Sequence, residues 1–317
     1  MVIVILGYTG LIGNNILENL IKNKSINLIC VGRNIKDKPY TNSKIKYYKW
    51  DFKKFKNSNL SFLKKANIII NCVGKMDNKI HDLENINFIF IKKLLEHINN
   101  QKLSVRLVHL GSVSVYGGGK NYFARHKLIA ENSKIISNNL YSSSKLKGDL
   151  LIQNIAQKNL NKNFSYTILR ISNVFGGPKK SNLFKFVLFS LKYGFWIKCF
   201  DDINFNFIHV KDVAQAVILL ISRLKVSKNK TYIVSDDCKQ YQVYENYEIF
   251  HKKKIIKIRV PKNIIKLLIY FLPINEKILN FFLLISTRAS YSNKKIKNEL
   301  NFKPKFSLHK EIKFLNE

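Results

Sequence analysis

The chain has 317 residues, with 55 Lys plus Arg against 20 Asp plus Glu, a formal net charge of +35, 46% hydrophobic residues, 13 Gly, 5 Pro and 4 Cys. That length and apolar content suffice to bury a substantial core, and so little Gly and Pro excludes collagen-like and disordered classes. Cys30, Cys72, Cys199 and Cys238 are spaced neither as a zinc site nor as a disulfide framework, and the histidines are scattered, so no metal site is expected and a reducing, cytoplasmic compartment is.

Only seven of the 55 cations are Arg, and Lys is spread through every segment beside Asn and Ile. Nucleic-acid surfaces gather Arg forks and aromatic rings on one element, so this spread reads as a compositional bias and no nucleic-acid partner is expected. The charge still favours anionic substrates.

In chain order, short apolar runs stand at Val2–Leu6, Ile26–Val31, Ile45–Tyr48, Ile68–Val73 and Leu107–Leu110, with helical periodicity between several of them, as in Asn14–Ile21 and Ile89–Ile98. The first run is five residues long and abuts a glycine turn, which does not read as a secretory signal. Strands buried on both faces give continuous Val/Ile runs and crossover helices give periodic ones, so a parallel, doubly wound α/β sheet is predicted. A long helix follows Tyr141, then a strand over Tyr166–Ile171, a helix near 182–192, a strand-like stretch at 205–210 and a helix from Val213 to Leu224. Residues 264–285 are apolar but broken by Lys266, Pro273, Asn275, Glu276, Lys277 and Asn280, so they read as packing helices and no transmembrane segment is expected.

The sharpest motif is Gly7-Tyr8-Thr9-Gly10-Leu11-Ile12-Gly13, set between a strand and an amphipathic helix. Glycines there permit a tight turn and close approach to a pyrophosphate, which the helix N-terminus attracts. Composition alone gives only about 0.02 such matches. After the second strand, where a dinucleotide site usually places an acid for the ribose, stands Arg33, with no acid before Asp37. A guanidinium there suits a 2′-phosphate, so NADP(H) is expected ahead of NAD(H).

Tyr141 and Lys145 are four apart on a predicted helix, so phenol and amine share a face, and the ammonium is expected to lower the phenol pKa for acid or base work on a hydroxyl. Four Tyr-x-x-x-Lys matches occur, at Tyr40, Tyr116, Tyr141 and Tyr291, against about two expected by chance, so context decides. Only Tyr141 opens a long helix after a buried run and the small-residue segment Gly111-Ser112-Val113-Ser114. Ser112 or Ser114 could hold the reacting oxygen beside it.

These residues resemble the extended short-chain dehydrogenase/reductases, the NAD(P)-dependent epimerase/dehydratase group. Gly7, Gly10 and Gly13 look like its cofactor loop, Asp51 with Phe52 like its adenine contact, and Cys72-Val73-Gly74 like the segment along the cofactor. Asn87 with Leu94-Leu95-Glu96 resembles its next helix. Ser112-Val113-Ser114-Val115-Tyr116-Gly117 is similar to its catalytic serine segment, making Ser112 the better of the two hydroxyls, and Tyr141 and Lys145 match its catalytic pair. Asn173, in Leu169–Pro178, resembles the asparagine facing substrate. Phe207–Ala214 and Leu300–Pro304 look like two later signatures, so the likeness spans residues 2 to about 305 in order.

The resemblance implies a Rossmann-type lobe over 1–176, rejoined by 205–236, and a smaller substrate lobe from 177–204 and 237–317. It implies a nucleotide-activated sugar as substrate, a homodimer by analogy, and epimerase or reductase activity in the supply of cell-surface polysaccharide precursors. Two departures qualify it. Val113 and Ser114 stand where dehydratases carry an Asp-Glu pair, and Phe205 stands where many members hold the diphosphate with arginine four residues before the counterpart of His209. Lys198 or Arg288 is then the candidate replacement. The basic connection with Arg125, His126 and Lys127 reads as a surface loop, and His209 beside Asp212 as structural. A non-catalytic dinucleotide sensor on the same fold is the competing reading, and a basic membrane-surface protein a third.

Overall fold

A computed structural model describes residues 1–35, 39–53, 55, 60–76, 80–117, 127–137, 139–158, 161–177, 181–198, 203–261 and 288–314. The chain alternates β1 (Val2–Leu6), α1 (Leu11–Leu20), β2 (Asn27–Gly32), β3 (Ile45–Lys49), β4 (Ile68–Asn71), α2 (Ile80–Glu84), α3 (Phe90–Asn100) and β5 (Val105–Ser112). It continues with β6 (Lys127–Ile129), α4 (Leu140–Gln157), β7 (Phe164–Ile171), β8 (Asn173–Phe175), α5 (Asn182–Lys192), β9 (Phe195–Lys198), β10 (Asn204–Phe205) and β11 (Phe207–His209). Then come α6 (Val210–Ser222), β12 (Lys230–Val234), β13 (Cys238–Lys239), α7 (Gln240–His251), β14 (Ile256–Arg259) and β15 (Ala289–Tyr291), with short helices over Lys294–Leu300 and Leu308–Glu311.

Seven strands form one sheet in the order β3-β2-β1-β4-β5-β7-β12, and every pair in it is parallel. This is the doubly wound Rossmann-type arrangement expected from the continuous apolar runs. Ile16, Leu17 and Leu20 of α1 and Val213, Val217 and Leu220 of α6 cover one face. Phe90, Ile91, Leu94 and Leu95 of α3 and Ile152 of α4 cover the other. Because both faces are dry, the strands need no polar alternation. Strand order reverses between β1 and β4, so the loops after them open a crevice at the sheet's carboxyl edge.

A second core gathers Phe175, Leu183, Phe184, Val187, Trp196, Phe205, Phe207, Val243 and Tyr244. Two-stranded pairs β8–β11, β9–β14, β10–β13 and β6–β15 knit the rest.

Three local differences from the sequence expectation have physical causes. The stretch at 205–210 is two strands, broken at Asn206, whose side-chain amide donates to Ala289 O at 3.0 Å. Helix α6 begins three residues early because the His209 ring accepts the Lys211 N–H at 3.2 Å, capping it. Before α3, residues Asn85–Ile89 form a π-helical turn. Asp37, Arg125, His126, Pro178, Cys199 and the segment 264–285 lie outside the described residues. Among the described residues no helix is long and apolar enough to cross a membrane, and no three His, Cys, Asp or Glu residues group as metal ligands.

Candidate active site

Gly7 ends β1 in the left-handed region, with φ of +83°. Its N–H donates to Val31 O at 2.8 Å and its carbonyl accepts the Gly10 N–H at 3.0 Å. A Cβ on Gly13 would sit 2.3 Å from Gly7 O, so only glycine lets α1 come this close to the turn. Helix α1 starts at Leu11 with no side-chain cap and no acid in its first turn. The first-turn N–H groups of Leu11, Ile12 and Gly13 are therefore left for an anion, and the missing Cβ atoms make room for it, so the loop fits a pyrophosphate. Tyr8 is core, its ring 5.4 Å from that of Tyr47, while Thr9 is exposed at the tip.

Around this turn stand the other expected cofactor contacts. Arg33 is exposed just beyond β2, and Asp51 is half-buried beyond β3, its carboxylate accepting the Lys53 N–H at 3.1 Å. The Phe52 ring packs on Phe90 at 5.2 Å and Trp50 at 5.4 Å, which leaves its backbone as the ligand-facing part. A Cβ on Gly7 would lie 3.2 Å from the Cys72 carbonyl carbon, so the loops after β1 and β4 touch. Val73 N–H is held by Asn71 Oδ1 at 3.1 Å. Burial pushes the Cys72 thiol up to about 12, making it a neutral lining group.

Ser112 is the last residue of β5; its Oγ accepts the Ser114 N–H at 3.2 Å and stands close enough to the Tyr141 hydroxyl to pull that phenol's pKa down. Tyr141 sits in the first turn of α4, whose start is fixed by a capping box: Asn139 Oδ1 accepts the Ser142 N–H at 2.8 Å and Ser142 Oγ accepts the Asn139 N–H at 3.1 Å. One turn on, Lys145 is buried, and its Nζ donates to Leu110 O at 3.1 Å. A Cβ on Gly74 would come within 3.0 Å of the same Nζ. The sheet's carboxyl edge thus brings together a hydroxyl, a phenol and an amine from distant stretches of chain, in contact with the loop that touches the glycine turn.

Burial disfavours the charged amine and, against the opposing pull of the nearby Asp149, leaves Lys145 at about 8. The Tyr141 phenol moves up from its ordinary value: burial leads, the Ser112 hydrogen bond opposes it and Asp149 adds to it. The expected lowering by the Lys145 ammonium is not found: the downward pull on the phenol comes from Ser112, and desolvation outweighs it.

The expected substrate residues stand on three other elements. Asn173 in β8 donates from its amide to Asn206 O at 3.1 Å. Lys198 ends β9 with Nζ 5.6 Å from the Trp196 ring centre. Arg288 precedes β15, its carbonyl accepting the Asn204 amide at 3.2 Å. Phe205 is fully buried between Phe207 and Tyr244, ring centres 5.9 and 6.3 Å away, so no cation stands at that position. His209 serves structure: burial holds it down to about 4, and Asp212 is engaged elsewhere, accepting the N–H groups of Lys305 and Phe306 at 2.9 and 3.0 Å.

Several buried polar groups were not singled out as site residues by spacing. Asn87, in the π-helical turn, holds both the N–H and the carbonyl of Lys75 at 3.0 Å and donates to Ser144 Oγ at 3.0 Å, tying the loop after β4 to α4. Arg170 Nε pairs with Asp149 Oδ2 at 2.9 Å, and its Nη1 donates to the Tyr116 hydroxyl at 2.7 Å. His109 meets the Asn71 amide at 3.0 Å. The available signal was polarity inside apolar strand runs, at Asn71, His109 and Arg170, and an acid four residues beyond Lys145.

Comparison with known proteins agrees with this geometry. Residues 3–235 match the model of the NAD dependent epimerase/dehydratase family, and no curated protein matches the sequence. Among solved structures, the UDP-glucuronic acid 4-epimerase from Bacillus cereus in complex with NAD is similar with a TM-score of 0.73 at 16% identity, covering 99% of this chain and 94% of that one. The UDP-Glc/GlcNAc 4-epimerase from Campylobacter jejuni gives 0.74 at 17%, covering 98% and 96%. A dTDP-glucose 4,6-dehydratase from Bacillus anthracis in complex with NAD gives 0.69 at 17%, covering 99% and 94%. At such identities the likeness is one of fold. The chain belongs to the NAD dependent epimerase/dehydratase family.

Proposed function

We propose that the protein is a nicotinamide-dinucleotide-dependent epimerase of a nucleotide-activated sugar, of the kind that supplies cell-surface polysaccharide precursors. The observation that carries this reading is the convergence of Ser112, Tyr141 and Lys145 at the sheet edge, linked through Gly74 and Cys72 to the glycine turn. The similar folds include enzymes whose bound partners are NAD and UDP-sugars.

The glycine turn and the first N–H groups of α1 would hold the pyrophosphate. Arg33, Asp51 and the Phe52 backbone would take the adenosine end, and Cys72–Gly74 would line the path to Lys145. When bound, the dinucleotide supplies a hydride acceptor and donor. Tyr141 exchanges the proton of the sugar hydroxyl, Ser112 orients the oxygen, and Lys145 donates to the nicotinamide ribose. Asn173, Lys198 and Arg288 are the polar groups proposed to hold the nucleotide sugar.

Elimination of water is disfavoured, because Val113, buried, and Ser114, half-buried, follow Ser112 where an acid pair would be needed. A second reading rests on Arg33: exposed at the β2 end, it offers a guanidinium to a 2′-phosphate, which favours NADP(H) and a reductase. The catalytic trio argues against a purely sensing role.

The test is Tyr141→Phe, assayed with UDP-hexoses, UDP-N-acetylhexosamines and UDP-glucuronic acid under both cofactors. Turnover is expected to fall by about 10²–10⁴-fold with cofactor affinity retained. Equal turnover by the variant removes Tyr141 from the chemistry, and wild-type protein that converts none of these sugars overturns the substrate class.

A further inference from the structure

Tyr141, Lys145 and Asp149 follow one another at one-turn intervals along α4 and so share its inner face. Asp149 is completely buried, as are its neighbours His109 and Arg170. Its Oδ2 takes the Arg170 Nε at 2.9 Å. Its Oδ1 accepts no hydrogen bond and faces the His109 Nε2 at 3.7 Å. A Cβ on Gly111 would stand 3.0 Å from Oδ1, so the strand beside it is stripped of a side chain where the carboxylate lies.

His109 is oriented by its other nitrogen. Asn71 Oδ1 is committed to the Val73 N–H at 3.1 Å, which turns the amide nitrogen toward His109 Nδ1 at 3.0 Å. Nδ1 therefore accepts, and the proton of the neutral ring sits on Nε2, pointing at Asp149. Burial and the nearby Lys145 keep that ring neutral. A carboxylate shut away from water between a guanidinium and a neutral N–H has no structural need of its second oxygen, yet a cation stands one turn before it.

We propose that Asp149 is a positioning residue for Lys145: its carboxylate, one helical turn away, clamped by Arg170 and faced by the neutral His109, is the fixed countercharge that keeps the buried amine an ammonium where the Leu110 carbonyl holds it beside Gly74. This rests on the reading of Tyr141 and Lys145 as the catalytic pair and adds the part that sets their charge. Burial is the leading influence on Lys145 and, even against the charges that oppose it, leaves the amine at about 8; the largest of those opposing influences is Asp149. The groups facing this cluster are Cys72 from the β4 end, His109 from β5, Tyr116 after β5, Arg170 and Tyr166 from β7, Tyr141 on α4, and Glu131 beyond Tyr116. Of these, Cys72 is a neutral thiol at ordinary pH and His109 a neutral ring; burial pushes the Asp149 carboxyl up while Arg170 and Lys145 pull it back down, and it is the carboxylate that acts directly on Lys145.

The test measures Lys145 itself. Competitive acetylation of the full-length protein by acetic anhydride is followed at the Lys145 peptide by mass spectrometry across the neutral and alkaline range. In Asp149→Asn the midpoint is expected to fall by about one pH unit, a tenfold loss of ammonium at alkaline pH. His109→Gln exchanges one neutral group for another and is expected to leave the midpoint in place. The alkaline limb of kcat moves with the midpoint, and Asp149→Glu restores it. If Asp149→Asn does not fold because Arg170 is orphaned, Asp149→Asn with Arg170→Met replaces the buried pair by neutral groups, and the midpoint must still fall. An unchanged midpoint in the Asp149 variants overturns the proposal, as does an equal fall in His109→Gln, which would make packing the cause. Loss of the catalytic reading shows separately, as undiminished turnover in Tyr141→Phe, and leaves this titration unaffected.

Discussion

The carboxyl edge of β4, β5 and β7 and the second core around Phe205 bury comparable space with opposite materials. At the sheet edge Asn71, His109, Ser112, Lys145, Asp149 and Arg170 are all buried and held by hydrogen bonds or charge. In the second core Phe175, Phe184, Trp196, Phe205 and Phe207 fill the volume with rings, and Tyr244 finds its hydroxyl a partner in Ser190 at 2.8 Å. Buried polar groups are expensive unless each is satisfied, and once satisfied they fix positions to a fraction of an ångström; rings fix shape and tolerate no charge. The proposed chemistry belongs to the first region and support to the second.

The harshest blow to the first region is Gly13→Val. With even a Cβ due 2.3 Å from Gly7 O, the turn must open, and dinucleotide affinity is expected to fall by at least about a hundredfold as the α1 N–H groups lose their aim. Titration with NADH and NADPH by fluorescence checks it, and retained affinity would detach the glycine turn from the cofactor.

Phe205→Arg probes the second region by putting a cation where the family resemblance leads one to expect a diphosphate-binding arginine. A charge without a partner among these rings is expected to cost about 3–5 kcal/mol, read by denaturant unfolding, with no gain in substrate affinity. A stable variant with tighter substrate binding would erase the contrast drawn here.

A smaller effect comes from the boundary between them. His209 is held down to about 4, below its ordinary 6.5, so in that window the unfolded chain binds a proton that the folded one refuses. Its contribution is present above 6.5 and is lost as the pH falls toward 4, by roughly 2–3 kcal/mol. Stability curves across that window for wild type and His209→Asn should converge on the acid side. Parallel curves would show that the ring carries no such burden.

The sheet was legible because each central strand is apolar on both faces, and Tyr141 because only its helix follows a buried strand. What stayed hidden depends partly on contacts far apart in sequence and partly on local backbone geometry that spacing does not encode. The break at Asn206 exists because Ala289 supplies a carbonyl. The early start of α6 depends on which way the His209 ring turns, and the π-helical turn at Asn85–Ile89 leaves no mark in hydrophobic spacing. Asp149 was readable as the next inward position after Lys145, but its clamp is Arg170 on another strand, so spacing along α4 could not reveal the network.

The clasp between 204–206 and 288–291 sets an order of events during synthesis. Strand β6 pairs with β15, the amides of Asn204 and Asn206 hold the carbonyls of Arg288 and Ala289, and Asp237 accepts the Tyr291 N–H. Every strand of the large sheet has left the ribosome before Ala289 is made. A nascent chain stalled there already carries the glycine turn and α4, while the cluster of Val113, Ile129 and Tyr116 still waits for Tyr291. The growing polypeptide thus has every strand of the seven-stranded sheet in hand before the segment that clasps β6 and the Asn204–Asn206 stretch is made.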